Sequence, residues 1–268
     1  MSWLEAIILG LVEGITEFLP VSSTGHLILT QALLGLQGAA VERQLIIIQG
    51  AAILAVCWEF REKLFHAAFT LHSDVVSRRF VLNLFIVSVP IAVLGLLFEA
   101  QIKARLFNPL SVAIALVVGG VIILWAEKRK HVERVQSVDG LTALDALKLG
   151  LFQALALIPG TSRSGATIIG GLLCGLSRRT AAEFSFFAAL PVLLAATALE
   201  IWKARAEFAA AEVETLAISC VVSFISALLA TKFLLRVVSR HSFAGFAWYR
   251  IVFGAVILIT SYTGLVRW

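Results

Sequence analysis

Six stretches of this chain, near 41–60, 80–98, 110–126, 184–202, 215–235 and 247–265, are each apolar over a length close to the ~20 helical residues that span about 30 Å of hydrocarbon. Charges or Trp and Tyr bound each of them, among them Trp58, Trp125, Trp202 and Trp248, as at the two faces of a bilayer. With 60% of 268 residues apolar, 15% charged and a mean hydropathy of +0.95, the apolar surface exceeds what a water-soluble core of this size can hide. An all-α, multi-pass protein with a lipid bilayer as its solvent is expected.

Two further apolar segments, 1–36 and 144–176, are interrupted in the middle, by PVSSTGH at 20–26 and by PGTSRSGAT at 159–167. Irregular backbone cannot face lipid, because its N–H and C=O groups would go unsatisfied; it is tolerated where protein or a water-filled cavity surrounds it. Both segments therefore read as re-entrant helical hairpins beside six transmembrane helices. The basic residues test this topology, since cytoplasmic loops carry the Lys/Arg excess. If both segments re-enter, one side holds Arg61, Lys63, Arg78, Arg79, Lys128, Arg129, Lys130, Arg134, Arg178, Arg179, Arg236 and Arg240. The other holds Arg43, Lys103, Arg105, Lys203, Arg205 and Arg267. A single crossing by 144–176 would narrow that excess. The same assignment places both termini outside, with the first hairpin dipping from outside and the second from inside.

Each half opens with a broken segment and continues into a Pro-x8-Glu span, at Pro90 to Glu99 and at Pro191 to Glu200. One polytopic domain over 1–268 follows, built as an inverted-topology repeat. Its halves are 1–126, with hairpin 1–36, and 144–268, with hairpin 144–176. Such repeats bring their broken helices together near the midplane and form a polar site there.

Other function classes find little support. The 22 Lys+Arg against 17 Asp+Glu form no single stripe, which speaks against nucleic acid. Met1 to Leu19 lacks a basic n-region and carries Glu5, Glu13 and Glu17, so it reads as part of the mature protein. Cys57, Cys174 and Cys220 are isolated, and His66, His72, His131 and His241 have no metal-ligand spacing. No GxxxxGK[ST] or GxGxxG fingerprint occurs.

Chemistry concentrates at the two breaks. Glu13 and Glu17 lie on one face of an apolar helix, where two carboxylates repel and need a cation, an arginine or a shared proton. Ser22, Ser23, Thr24, Gly25 and His26 follow at what should be the start of a new helix. Its free N–H groups and positive dipole end suit phosphate oxygens. A hydroxyl beside an imidazole and two carboxylates can also be activated as a nucleophile, although Ser22 could equally be a plain N-cap. In the second break Arg163 sits among Gly160, Ser162, Ser164, Gly165 and Thr167. Its planar fork suits a bidentate grip on phosphate, and an ion pair with Glu13 or Glu17 is the competing assignment. Glu183 and Ser185 could line the same cavity, with Glu183 alternatively capping a helix. Arg250, beside Trp248 and Tyr249, reads as an interfacial anchor, and Gln49 and Gln153 as bonds between helices.

The segments GLVEGITEFLPVSSTGHL at 10–27 and LALIPGTSRSGATIIGG at 155–171 resemble the two signature segments of the bacterial undecaprenyl-diphosphate phosphatase family, also known for bacitracin resistance. The similarity extends to NPLSVAIALVVGG at 108–120 and AAEFSFFAALPV at 181–192. It implies an inverted-repeat membrane fold, a homodimer and a site opening to the outer face of the bacterial inner membrane. It also implies hydrolysis of undecaprenyl diphosphate, a polyprenyl diphosphate lipid, to the monophosphate carrier of cell-wall synthesis, with a divalent cation, Mg²⁺ or Ca²⁺. Carried over by motif position, the functional residues are Glu13, Glu17, Ser22, Ser23, His26, Ser162 and Arg163. One departure is visible: the family often has an acidic residue shortly before an apolar run ending in Gln-Leu-Gly, where this chain has Leu45 and then Gln49-Gly50-Ala51.

The implied mechanism uses Arg163 and the N–H groups of both hairpins on the diphosphate, with Glu13 and Glu17 holding the cation. Ser23 attacks with His26 as general base; His26 or water as the attacking group stays open. A transporter or flippase for a polyprenyl phosphate is the rival from another class, since inverted repeats with broken helices are also transporter architecture.

Overall fold

The computed structural model describes residues 1–129, 132–205 and 210–264. Lys130, His131 and Arg267 lie outside the described residues, as do the side chains of Glu99 and Lys103. Among the described residues the secondary structure is helical apart from one isolated bridge between Val135 and Leu176. The first half contains α1 (Trp3–Thr16), α2 (Ser23–Leu34), α3 (Ala39–Glu59), α4 (Arg61–Phe69), α5 (Val75–Leu106) and α6 (Pro109–Lys128). The second contains α7 (Ala143–Ala154), α8 (Arg163–Leu173), α9 (Arg178–Ala204), α10 (Ala210–Val238) and α11 (Ala244–Thr263). Six of these, α3, α5, α6, α9, α10 and α11, are long and apolar enough to cross a membrane. The chain is an all-α multi-pass membrane protein.

Local sequence explains where the helices start. Ser2 and Glu5 form a capping box on α1, and Thr142 and Asp145 form one on α7. Asp74 caps α5 by accepting from the N–H groups of Val76 and Ser77, and Asn108 with Pro109 at the first helical position opens α6. The exterior matches a lipid solvent: Phe85 and Leu96 of α5 are 63% and 82% exposed, and Trp3, Trp58, Trp125, Trp202 and Trp248 are all exposed near helix ends. The stretch 61–79, expected as a loop, contains α4. Phe65 and Phe69 stack on its exposed surface, an aromatic face suited to the interface, and nine residues were too few to show a period.

The two broken segments pack in matching ways. Helix α1 lies along α10 in the same direction, with Gly10 against Ser219 and Gly14 against Ser223 and Ser226. Helix α7 lies along α5 likewise, with Gly150 against Val87 and Pro90. Gln153 of α7 donates to the Val87 carbonyl at 3.2 Å, the expected bond between helices. Each half thus lends its broken segment to a long helix of the other. In hydrocarbon there is no hydrophobic drive between helices, so small residues that admit close backbone approach do this work. A Cβ added at Gly14 would lie 2.0 Å from Ser226 Oγ and 2.4 Å from the Ser223 carbonyl oxygen. Gly14→Val should push α1 off α10 and lower unfolding stability by about 1–3 kcal/mol. Thermal unfolding in detergent checks this, with Gly245→Ala, where an added Cβ meets nothing within 4 Å, expected to melt like the parent.

Candidate active site

Helices α1 and α2 are separated at residues 17–22, and α7 and α8 at 155–162, and the two interruptions meet inside the protein. Ser22 and Ser162 are the N-caps of α2 and α8, and among the described residues they are the two non-glycine residues with positive φ, at 75° and 69°. Such a backbone is strained by about 1–3 kcal/mol and persists only where its surroundings fix it. Each serine Oγ accepts from the N–H of a glycine three residues on, Gly25 at 3.4 Å and Gly165 at 3.1 Å. Ser164 Oγ donates to the Leu19 carbonyl at 2.8 Å and ties one turn to the other.

Glu13 lies in the last turn of α1 and Glu17 is its C-cap; both are buried. Ser23 Oγ donates to Glu17 Oε2 at 2.5 Å. Arg163, the first residue of α8, donates from Nε and Nη2 to Glu17 Oε1, both at 3.2 Å, and from Nη1 to the Ser185 carbonyl at 2.9 Å. Thr167 Oγ1 donates to Ser185 Oγ at 2.6 Å and braces the same region. Of the two competing assignments for Arg163, the structure displays the ion pair, with Glu17. Glu13 differs from its neighbour: it is fully buried and neither carboxylate oxygen has a hydrogen-bond partner.

Two carboxylates against one guanidinium leave one excess negative charge if both ionise. A charge so buried needs a proton or a cation. The nearby donors are all oxygens, which suits a hard divalent ion; Mg²⁺ is commonly held by one or two carboxylates and completes its shell with substrate phosphates and water. Among the described residues no group of three His, Cys, Asp or Glu gathers, so a cage supplied wholly by such side chains is not what is built.

His26 is placed differently from expectation. Its Nδ1–H donates to the Ser22 carbonyl at 2.7 Å, its Nε2 pairs with the Tyr249 hydroxyl at 2.6 Å, and its ring stacks on Phe253 with centroids 4.1 Å apart. Both ring nitrogens are engaged away from Ser23, whose proton faces Glu17 instead. Thr24 lines an open cavity of ≈ 560 Å³ with Leu27, Gln31, Glu42, Gln49 and Asn108. Glu183 stands apart, paired with Arg179 at 2.8 Å, whereas Ser185 joins the site.

Sequence reasoning misplaced Arg250. It is no interfacial anchor: the side chain is fully buried, and its guanidinium donates to the carbonyls of Pro20, Gly160, Ala115 and Leu116. The signal was there in the spacing of Ala247, Arg250, Gly254 and Ile257, one helix face that is buried throughout.

The family profile described as bacitracin resistance protein BacA matches residues 6–256. The chain belongs to this family. Curated members similar to it include an undecaprenyl-diphosphatase of Nitrosospira multiformis, 55% identical over 271 residues and covering 100% of this chain and 99% of the relative. An undecaprenyl-diphosphatase of Dechloromonas aromatica is 54% identical (99% and 97% covered), and undecaprenyl-diphosphatase 2 of Rhodospirillum rubrum 56% (99% and 97%). Membership extends over both interruptions and the helices that hold them.

Ser22→Ala and Ser162→Ala each remove one N-cap acceptor and leave the strained backbone in place. Each should cost about 1 kcal/mol of stability, and a chemical denaturation series in detergent measures it.

Proposed function

We propose that this chain hydrolyses undecaprenyl diphosphate to undecaprenyl phosphate and inorganic phosphate, recycling the lipid carrier of cell-wall synthesis and so conferring bacitracin resistance. The observation that carries this reading is a serine hydroxyl donating at 2.5 Å to a buried carboxylate that an arginine also holds, in a chain more than half identical to proteins named undecaprenyl-diphosphatase. A simple carrier would need the arginine but has little use for the activated serine.

In this reading Glu17 is the general base and takes the Ser23 proton. Ser23 Oγ attacks the terminal phosphorus, and the bond from that phosphorus to the bridging oxygen breaks. Undecaprenyl phosphate leaves with the oxygen, and water then cleaves the phosphoserine. Arg163 exchanges its Glu17 oxygen for phosphate oxygens, and the N-terminal N–H groups of α2 and α8 accept negative charge beside it. Glu13, with Glu17, would hold a divalent cation, Mg²⁺ or Ca²⁺, which when bound neutralises diphosphate charge. His26 orients the α2 turn and does not move the serine proton.

Both interruptions re-enter the bilayer in this reading, from opposite faces, within an inverted repeat. The shared packing of α1 on α10 and α7 on α5 supports that arrangement. The site opens to the outer face of the cytoplasmic membrane through the cavity from Thr24 to Asn108, which lies on the side poorer in Lys and Arg. A homodimer belongs to the same reading and rests on the family resemblance; cross-linking in native membranes tests it.

Purified protein should release phosphate from undecaprenyl diphosphate only with divalent cation. Ser23→Ala should lower kcat by about 10³-fold, and Glu13→Gln should raise the cation concentration needed for half-maximal rate. His26→Ala should lose less than about tenfold. Labelled phosphate trapped on His26, or a His26→Ala loss equal to that of Ser23→Ala, would overturn these roles. Lipid binding by folded protein without release would favour a transporter.

A further inference from the structure

The hydrolase reading assigns Arg250 no task, yet among the described residues it is the one fully buried Lys or Arg, and its guanidinium donates to four backbone carbonyls. We propose that Arg250 is a positioning residue that locks the two serine-capped turns to each other and so sets the separation of the α2 and α8 N-termini; this rests on the hydrolase reading.

The geometry is specific to both turns. Arg250 Nη1 donates to the Pro20 carbonyl at 3.3 Å and Nη2 to the Gly160 carbonyl at 3.1 Å. These carbonyls occupy the same place in each turn, two residues before Ser22 and Ser162, the residues whose φ is strained. Nε and Nη2 also donate to Leu116 and Ala115 of α6, at 3.3 and 3.1 Å, which fixes the guanidinium to a membrane-length helix. A rigid planar fork spreads its donors over acceptors several ångströms apart, whereas a lysine ammonium gathers all three of its donors on one nitrogen. Two glycines on different helices make room for it: a Cβ added at Gly119 would lie 2.1 Å from Nη2, and one at Gly165 would lie 2.9 Å from Nη1.

Ion pairing does not explain the residue. Among the described residues no carboxylate lies within ion-pair distance of Arg250, so its burial is compensated by backbone carbonyls alone. Removing a cation from water costs several kcal/mol, and a cheaper apolar side chain could fill the same volume. The carbonyls it holds belong to the turns that carry Glu17 and Ser23 on one side and Arg163 on the other.

The test uses full-length protein in detergent with Arg250→Lys, which keeps the charge, and Gly119→Ala, which keeps the arginine and displaces its guanidinium. Arg178→Lys serves as the control, because Arg178 pairs with the Glu127 carboxylate at 2.5 Å and not with a carbonyl of either turn. Both test variants should lose about 100-fold in kcat, the cost of misplacing reacting groups by roughly 1 Å, while KM changes by less than about threefold. Their melting temperatures should shift no more than that of the control. Hydrogen exchange reads the clamp without chemistry: amides of residues 23–25 and 163–165 should exchange faster in both variants. Unaltered kcat in both, or unchanged protection of both turns, overturns the proposal. An inactive parent would instead count against the hydrolase reading, and the exchange measurement still decides the clamp.

Discussion

A helix broken inside an apolar medium exposes backbone groups that nothing outside the protein can satisfy. This chain breaks two, and the architecture follows from making each break the partner of the other. The N-terminal N–H groups of α2 and α8 are capped by Ser22 and Ser162, the Leu19 carbonyl takes the Ser164 hydroxyl, and the carbonyls of Pro20 and Gly160 take the Arg250 guanidinium. Because each broken segment also leans on a long helix of the opposite half, neither turn can move without disturbing both halves. Glycines at 10, 14 and 150 permit that exchange by letting backbones touch.

The same solution creates the chemistry. Bringing two helix starts together concentrates unsatisfied N–H groups and two positive dipole ends in one place, a field that favours phosphate. Glu13 and Glu17 then supply the opposite sign at the end of α1. With Arg163 on Glu17 and, among the described residues, no hydrogen-bond partner for Glu13, the site is electrostatically unfinished on its own.

Much of this was legible in the residue order. Apolar length revealed the six spans, and Pro, Gly, Ser and Thr inside apolar segments marked both breaks, because lipid punishes such residues unless they are housed. Glu13, Glu17 and Arg163 stood out for the same reason. Arg250 was misjudged, and the Tyr249 contact of His26 went unseen, for a shared cause: both partnerships span long stretches of sequence. Tyr249 reaches His26 across more than two hundred residues, and the carbonyls bonded by Arg250 carry no side-chain signature. A residue's neighbours in sequence, such as Trp248 and Tyr249, then suggest a surface position that Trp248 takes and Arg250 does not. Helix α4 was missed because nine residues hold too few turns to show a period.

The Glu17–Arg163 pair also explains how a charged site can wait in such surroundings. Both side chains are almost wholly buried, so breaking the pair without replacement would leave an isolated charge, at several kcal/mol. In the proposed hydrolase reading, a diphosphate bearing a divalent cation would supply both replacements together: phosphate oxygens for Arg163 and positive charge for Glu17. In that reading the pair would open to a ligand that carries both signs, and the Ser23 hydroxyl already donates to Glu17.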